Sequence, residues 1–157
     1  MVGREYVLRM PAFANALAAD LVLCRISAAA TTALLIKRIW FGQISTSNLN
    51  EVNALRFVRL SSDGSGGATM VAEQRSPLDP AFAGTAVCHD ADGWTEPTIS
   101  DTLDEIPFNL AGGFEWAPTD DNGYIVVPPS GRFGLELARA PSASMPWAGG
   151  LVLQEIG

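Results

Sequence analysis

Turn-forming residues recur along this chain so closely that little but β-strands fits between them. Asp63-Gly64-Ser65-Gly66-Gly67, Asp92-Gly93, Gly112-Gly113, Asp120-Asp121-Asn122-Gly123, Pro128-Pro129-Ser130-Gly131 and Gly149-Gly150 each supply the positive or fixed φ that a reversal requires. With 15 glycines and 10 prolines in 157 residues, the chain stays below the roughly 25–30% at which such composition signals disorder. One domain is expected at this length. A chain of about 150 residues buries roughly two-thirds or more of its unfolded surface and needs no covalent staples.

Between the turns lie segments of strand length and composition: Asp20 to Ile26, Ala33 to Gln43, Asn53 to Ser61, Ala68 to Gln74, Gly123 to Val127, Arg132 to Arg139 and Gly150 to Glu155. From Arg132 to Leu137 the alternation is plain, with Phe133, Leu135 and Leu137 on one face and Arg132, Gly134 and Glu136 on the other. Leu55 and Phe57 share a face that Arg56 opposes. Strands with one apolar and one wet face are the antiparallel pattern, so the expectation is an all-β antiparallel sandwich. From Ser76 to Ala111 the turn signals are denser, and the acids from Asp90 to Glu105 are expected on exposed loops with short strands among them. Within Met1 to Ala19, Pro11 to Leu17 fits a short helical turn, and an extended arm, in which Tyr6, Leu8 and Met10 alternate with Val7 and Arg9, fits equally.

Only 17% of the residues are charged, and the formal net charge is −7. This argues against a nucleic-acid binder that works by neutralising phosphates. The charges are also sorted along the chain: Met1 to Arg75 has a net of +3, Ser76 to Gly131 has ten acids and no Lys or Arg, and the remainder is balanced. A dipolar surface is the expectation. Asp20 and Arg25 interrupt the apolar run from Ala12 to Ile36, leaving about eleven uncharged residues where a membrane span needs ~20. Arg9 and Pro11 likewise break any signal-peptide core, so a soluble protein that is not exported is expected.

The inventory for catalysis is thin. His89 is the single histidine, and Cys88-His89-Asp90-Ala91-Asp92-Gly93 holds only fragments of a zinc or calcium loop. It reads as a polar turn with an exposed imidazole. Gly64-Ser65-Gly66 lacks the frame of a nucleophile elbow, and Asp104-Glu105 and Asp120-Asp121 read as solvated acids. No enzyme, cofactor or metal is expected. Cys24 and Cys88 are either one bridge or two buried thiols. Of Trp40, Trp94, Trp116 and Trp147, one or two belong in the core, and the others cap the sandwich or anchor an interface.

Taken in order, Ala33-Leu34-Leu35-Ile36-Lys37-Arg38-Ile39-Trp40-Phe41-Gly42-Gln43, Leu55-Arg56-Phe57-Val58-Arg59-Leu60, Ser65-Gly66-Gly67 and Pro77-Leu78-Asp79-Pro80 resemble a family of small tailed-phage virion proteins. Gly112-Gly113-Phe114-Glu115-Trp116-Ala117-Pro118, Ile125-Val126-Val127-Pro128-Pro129-Ser130-Gly131-Arg132-Phe133-Gly134-Leu135 and Ala140-Pro141-Ser142-Ala143 continue the series. The resemblance spans residues 20–157 and does not extend over 1–19. It implies a jelly-roll-like β-sandwich over 20–157 with an N-terminal arm over 1–19. It further implies a capsid decoration (cement) protein that forms a homotrimer on the outer surface of the virion head and partners the major capsid protein, with no nucleic acid or membrane involved. The expected contact residues are Tyr6, Met10 and Phe13 on the arm, Lys37, Arg38, Arg56 and Arg59 on the strands, and Trp40 and Trp147 as anchors. The acidic loops would face outward. The alternative is a head-fibre or tail adsorption module that binds a host surface glycan.

Overall fold

The computed structural model describes residues 3–15, 22–44, 49–90, 93–120 and 123–157. It contains twelve strands: β1 (Arg4–Asn15), β2 (Val22–Ser27), β3 (Ala33–Gln43), β4 (Val52–Leu60), β5 (Ala68–Thr69), β6 (Val71–Gln74), β7 (Thr85–Cys88), β8 (Ile99–Asn109), β9 (Phe114–Trp116), β10 (Ile125–Val127), β11 (Arg132–Leu137) and β12 (Met145–Ile156). One sheet runs β10-β3-β12-β1-β6, with β9 also paired to β3, and the other runs β5-β7-β2-β11-β4-β8. All pairings are antiparallel.

Setting β5–β7 aside leaves β1-β12-β3-β10 packed on β2-β11-β4-β8. Apart from the β4–β8 hairpin, successive strands of these eight alternate between the sheets, and the first strand lies beside the last. This is the jelly-roll order. The inserted segment closes one side of the sandwich. It pairs β5 with β7 on the second sheet, turns at Met70, which is 3% exposed and donates its backbone N–H to Ala86, and then pairs β6 with β1 on the first sheet. A strand that switches sheets in this way makes a corner.

The core follows from alternation. Tyr6, Leu8 and Met10 of β1, Leu34, Ile36, Ile39 and Phe41 of β3 and Leu151 and Leu153 of β12 are buried against Leu55 and Phe57 of β4 and Phe133, Leu135 and Leu137 of β11. Phe57 lies at an aromatic centre, its ring 5.2 Å from Trp116 and 6.2 Å from both Phe114 and Phe133. In β3 the pairing with β12 slips, Val152 opposing Arg38 while Leu153 opposes Ile36. Lys37 is the extra residue of that bulge. Inward positions therefore step from Ile36 to Ile39, and Trp40 points outward.

Several expectations change. Residues 4–15 are not an arm: the extended alternation of Tyr6, Leu8 and Met10 belongs to β1, an interior strand between β12 and β6. Residues 16–19 lie outside the described set. The acids expected on loops include Asp101, Asp104 and Glu105 of β8, an eleven-residue edge strand exposed at every position from Ser100 to Glu105. Each sheet carries four basic and four acidic side chains on its strands, and the net −7 resides in the connections.

Edge strand β8 carries two register shifts and three acids, features that deter pairing with another sheet edge. Replacing Asp101 and Asp104 together by Thr is expected to leave the fold intact and to drive concentration-dependent self-association, measured by light scattering. Monodispersity equal to wild type at the same concentration would contradict this role.

Candidate interface on the outer face of the first sheet

The outward positions of the first sheet bring together residues far apart in sequence. Glu5 of β1 accepts from Lys37 of β3 at 2.9 Å and from Arg75, just beyond β6, at 3.2 Å. Arg9 pairs with Glu73 across β1 and β6 at 2.9 Å, and Arg38 pairs with Glu115 across β3 and β9 at 2.8 Å. Most of these groups are about half exposed, so each pair contributes on the order of 0–1 kcal/mol. Their effect is to hold long side chains in place over the strands. The Lys37 ammonium also lies 5.7 Å from the centre of the Tyr124 ring.

Trp40 stands at the middle of this face. A side chain at Gly150, its neighbour on β12, would have its Cβ 2.5 Å from the indole Cζ2 and 2.5 Å from the Leu8 carbonyl. The indole therefore covers the space that the glycine leaves open. Arg38 adds its guanidinium 5.5 Å from the ring centre. Beside it, Trp40, Phe41 and Gly42 on β3 and Gly112 to Glu115 line a shallow cleft of about 350 Å³. Gly113 takes φ +70° there, a conformation that other residues adopt at a cost.

The expected contact residues divide. Lys37, Arg38 and Trp40 share the face just described. Tyr6, Met10 and Trp147 are 0%, 4% and 0% exposed; they are core, and the corresponding expectation is corrected, because the inward parity of β1 and β12 takes them between the sheets. Phe13 opposes Trp147 along the β1–β12 ladder, and its side chain lies outside the described set. Arg56 and Arg59 sit on β4 in the other sheet. There Arg56 reaches Glu105 at 2.6 Å and Glu136 at 3.6 Å. Burial raises the Glu136 carboxyl above the usual range, and the charge and hydrogen bond of Arg56 oppose this only in part.

His89 is another correction. It is 7% exposed, with its ring 5.2 Å from Trp94, and Arg25 lies 5.6 Å over the same indole. The segment around Trp94 folds across the second sheet, with Ser65 and Thr95 bridged. Nearby, burial would raise the Asp63 carboxyl, but hydrogen bonds from Ser27 and Arg132 and the positive charges of Arg132 and Arg25 outweigh it, so the group lies below the usual range. Among the described residues no three His, Cys, Asp or Glu side chains gather as metal ligands, and no helix is long and apolar enough to cross a membrane.

Sequence reasoning missed Glu5, Arg9, Glu73, Glu115 and Gly150 as parts of this face. Only the strand order, which runs from β9 on β3 through β12 and β1 to β6, assembles them. The chain matches no protein-family model, no curated protein and no solved structure.

Proposed function

We propose that this chain is a structural protein of a tailed-phage virion, a capsid decoration protein that docks on the outside of the head as a homotrimer and adds contact area to the shell. The observation that carries the reading is the outer face of the first sheet. Tryptophan and arginine are the residue types that concentrate binding energy at interfaces, and here Trp40 and Arg38 lie together on a sheet face kept low by Gly150. The jelly-roll order supports the reading, since viral capsid domains use it, and so does the ordered series of segments resembling small virion proteins. With β1 inside the sandwich and Arg56 and Arg59 on the other sheet, the proposed docking surface narrows to the face of Lys37, Arg38 and Trp40.

The test is binding of purified protein to expanded empty heads, followed by sedimentation and image reconstruction. Wild type is expected to occupy the shell, Trp40→Ala and Arg38→Glu each to weaken binding at least tenfold, and Arg59→Ala, on the opposite sheet, to bind as wild type. Absence of wild-type binding to heads would overturn the reading.

The cleft beside Trp40 favours one second reading, an adsorption module that binds a host glycan, because lectin domains also use the jelly roll. Binding of the free protein to envelope polysaccharide, lost in Trp40→Ala and accompanied by no affinity for heads, would select it.

A further inference from the structure

The two cysteines, 64 positions apart in sequence, are direct partners across β2 and β7. The position they occupy in the ladder matters. His89 donates its backbone N–H to the Leu23 carbonyl at 2.8 Å, which makes Leu23 and His89 a hydrogen-bonded pair and Cys24 and Cys88, one step along, a non-hydrogen-bonded one. At such sites opposed Cα atoms approach to about 4.5 Å with their side chains on the same face. That lies at the short end of the Cα separations that disulfides span, about 4.4–6.8 Å. Both residues are free thiols and fully buried in the core. The Cys88 thiol rests 3.4 Å from the Ala68 carbonyl of β5. Closing a bridge requires rotation about the side-chain bonds rather than movement of either strand.

We propose that Cys24 and Cys88 are a redox pair that closes, in oxidising surroundings, into a disulfide stapling the inserted strands β5–β7 to the jelly roll. β7 reaches the rest of the second sheet only through β2, and β5 reaches it only through β7, so a bond at this point secures the whole inserted corner. The oxidant is a small disulfide such as oxidised glutathione. One cysteine sulfur, as thiolate, attacks it and releases one glutathione thiol, and the second cysteine then displaces the other. Two protein S–H bonds and one S–S bond are exchanged for one protein S–S bond and two glutathione thiols.

Burial pushes the Cys24 thiol up to about 12 and the Cys88 thiol to about 11. Little thiolate is therefore present in the folded protein at neutral pH, and attack awaits opening of β7. Closure should accordingly be slow in the native protein and fast during refolding.

The test is to refold the reduced chain to equilibrium in a glutathione buffer poised as in an oxidising compartment, and to read intact mass, peptide linkage and thermal midpoint. The expected product is monomeric, lighter by two hydrogens and linked between the peptides of Cys24 and Cys88. Closing a loop of about 65 residues should raise its midpoint by about 10 °C, and dithiothreitol should reverse the shift. Persistence of two free thiols, stable glutathione adducts, intermolecular dimers or an unchanged midpoint in the linked form would each overturn the proposal. Oxidation of the native protein, run in parallel with and without low urea, reads the dependence on β7 opening: acceleration by urea is expected, and an equal rate in both would contradict gating by that strand.

Discussion

Removing residues 1–19 yields a chain without a cooperative fold. β1 lies between β12 and β6, so its loss strips the hydrogen-bonded partner from two strands at once and leaves Leu151 and Leu153 facing a gap. Tyr6, Leu8 and Met10 are 0–4% exposed. At about 1.5–3 kcal/mol for each buried side chain, their removal costs roughly 5–9 kcal/mol, comparable with the whole stability of a domain of this size. The exposed flank of β12 would also be a pairing edge, so aggregation is expected alongside unfolding. Far-UV circular dichroism and urea titration of the truncated chain provide the measurement, with deletion of residues 1–3 as the control that leaves β1 whole. A cooperative transition in the 1–19 deletion, at a midpoint near wild type, would show that β1 is dispensable.

Trp147→Ala is expected to cost about 3–5 kcal/mol, the range for deleting a large aromatic from a core. The side chain is 0% exposed, and its ring lies 4.5 Å from Phe41. Trp147 opposes Gln43 on β3 and Phe13 on β1, which leaves the backbone little freedom to collapse into the space. Its indole N–H is buried without a hydrogen-bond partner among the described residues. Trp147→Phe removes that unmet donor together with part of the volume, so it should cost clearly less than the alanine. Urea midpoints at constant slope give both values, and an alanine variant within 1 kcal/mol of wild type would place Trp147 outside the core.

Much of the sandwich was legible because a half-buried strand writes its two faces into the sequence. Ala33 to Gln43 has the same bounds in sequence and structure, and Arg132–Leu137 shows its alternation without ambiguity. The signal fails where one of its premises fails. β8 from Ser100 to Glu105 is wet on both faces and leaves no alternation to read. Gly149-Gly150 reads as a turn but lies inside β12, because a missing side chain looks the same whether it serves a positive φ or close packing, and here a Cβ would meet the Trp40 and Leu8 carbonyls at 2.5 Å. The bulge at Lys37 reverses the parity of β3 and decides that Phe41 is core and Trp40 surface. Nothing local in the sequence announces it. The candidate face was legible only in part, since Lys37, Arg38 and Trp40 are neighbours in sequence while their partners Glu5 and Glu115 arrive through topology.

Lys37 is the only lysine in the chain, and its side chain is one-quarter exposed on the outer face of the first sheet, with its ammonium held by Glu5. Amine-directed acylation consequently has a single side-chain target, and that target lies within the surface proposed for docking. Its reactivity in an assembly, relative to the free protein, reports directly whether this face is covered. The molecule thus carries its own footprinting probe, needing no engineered label.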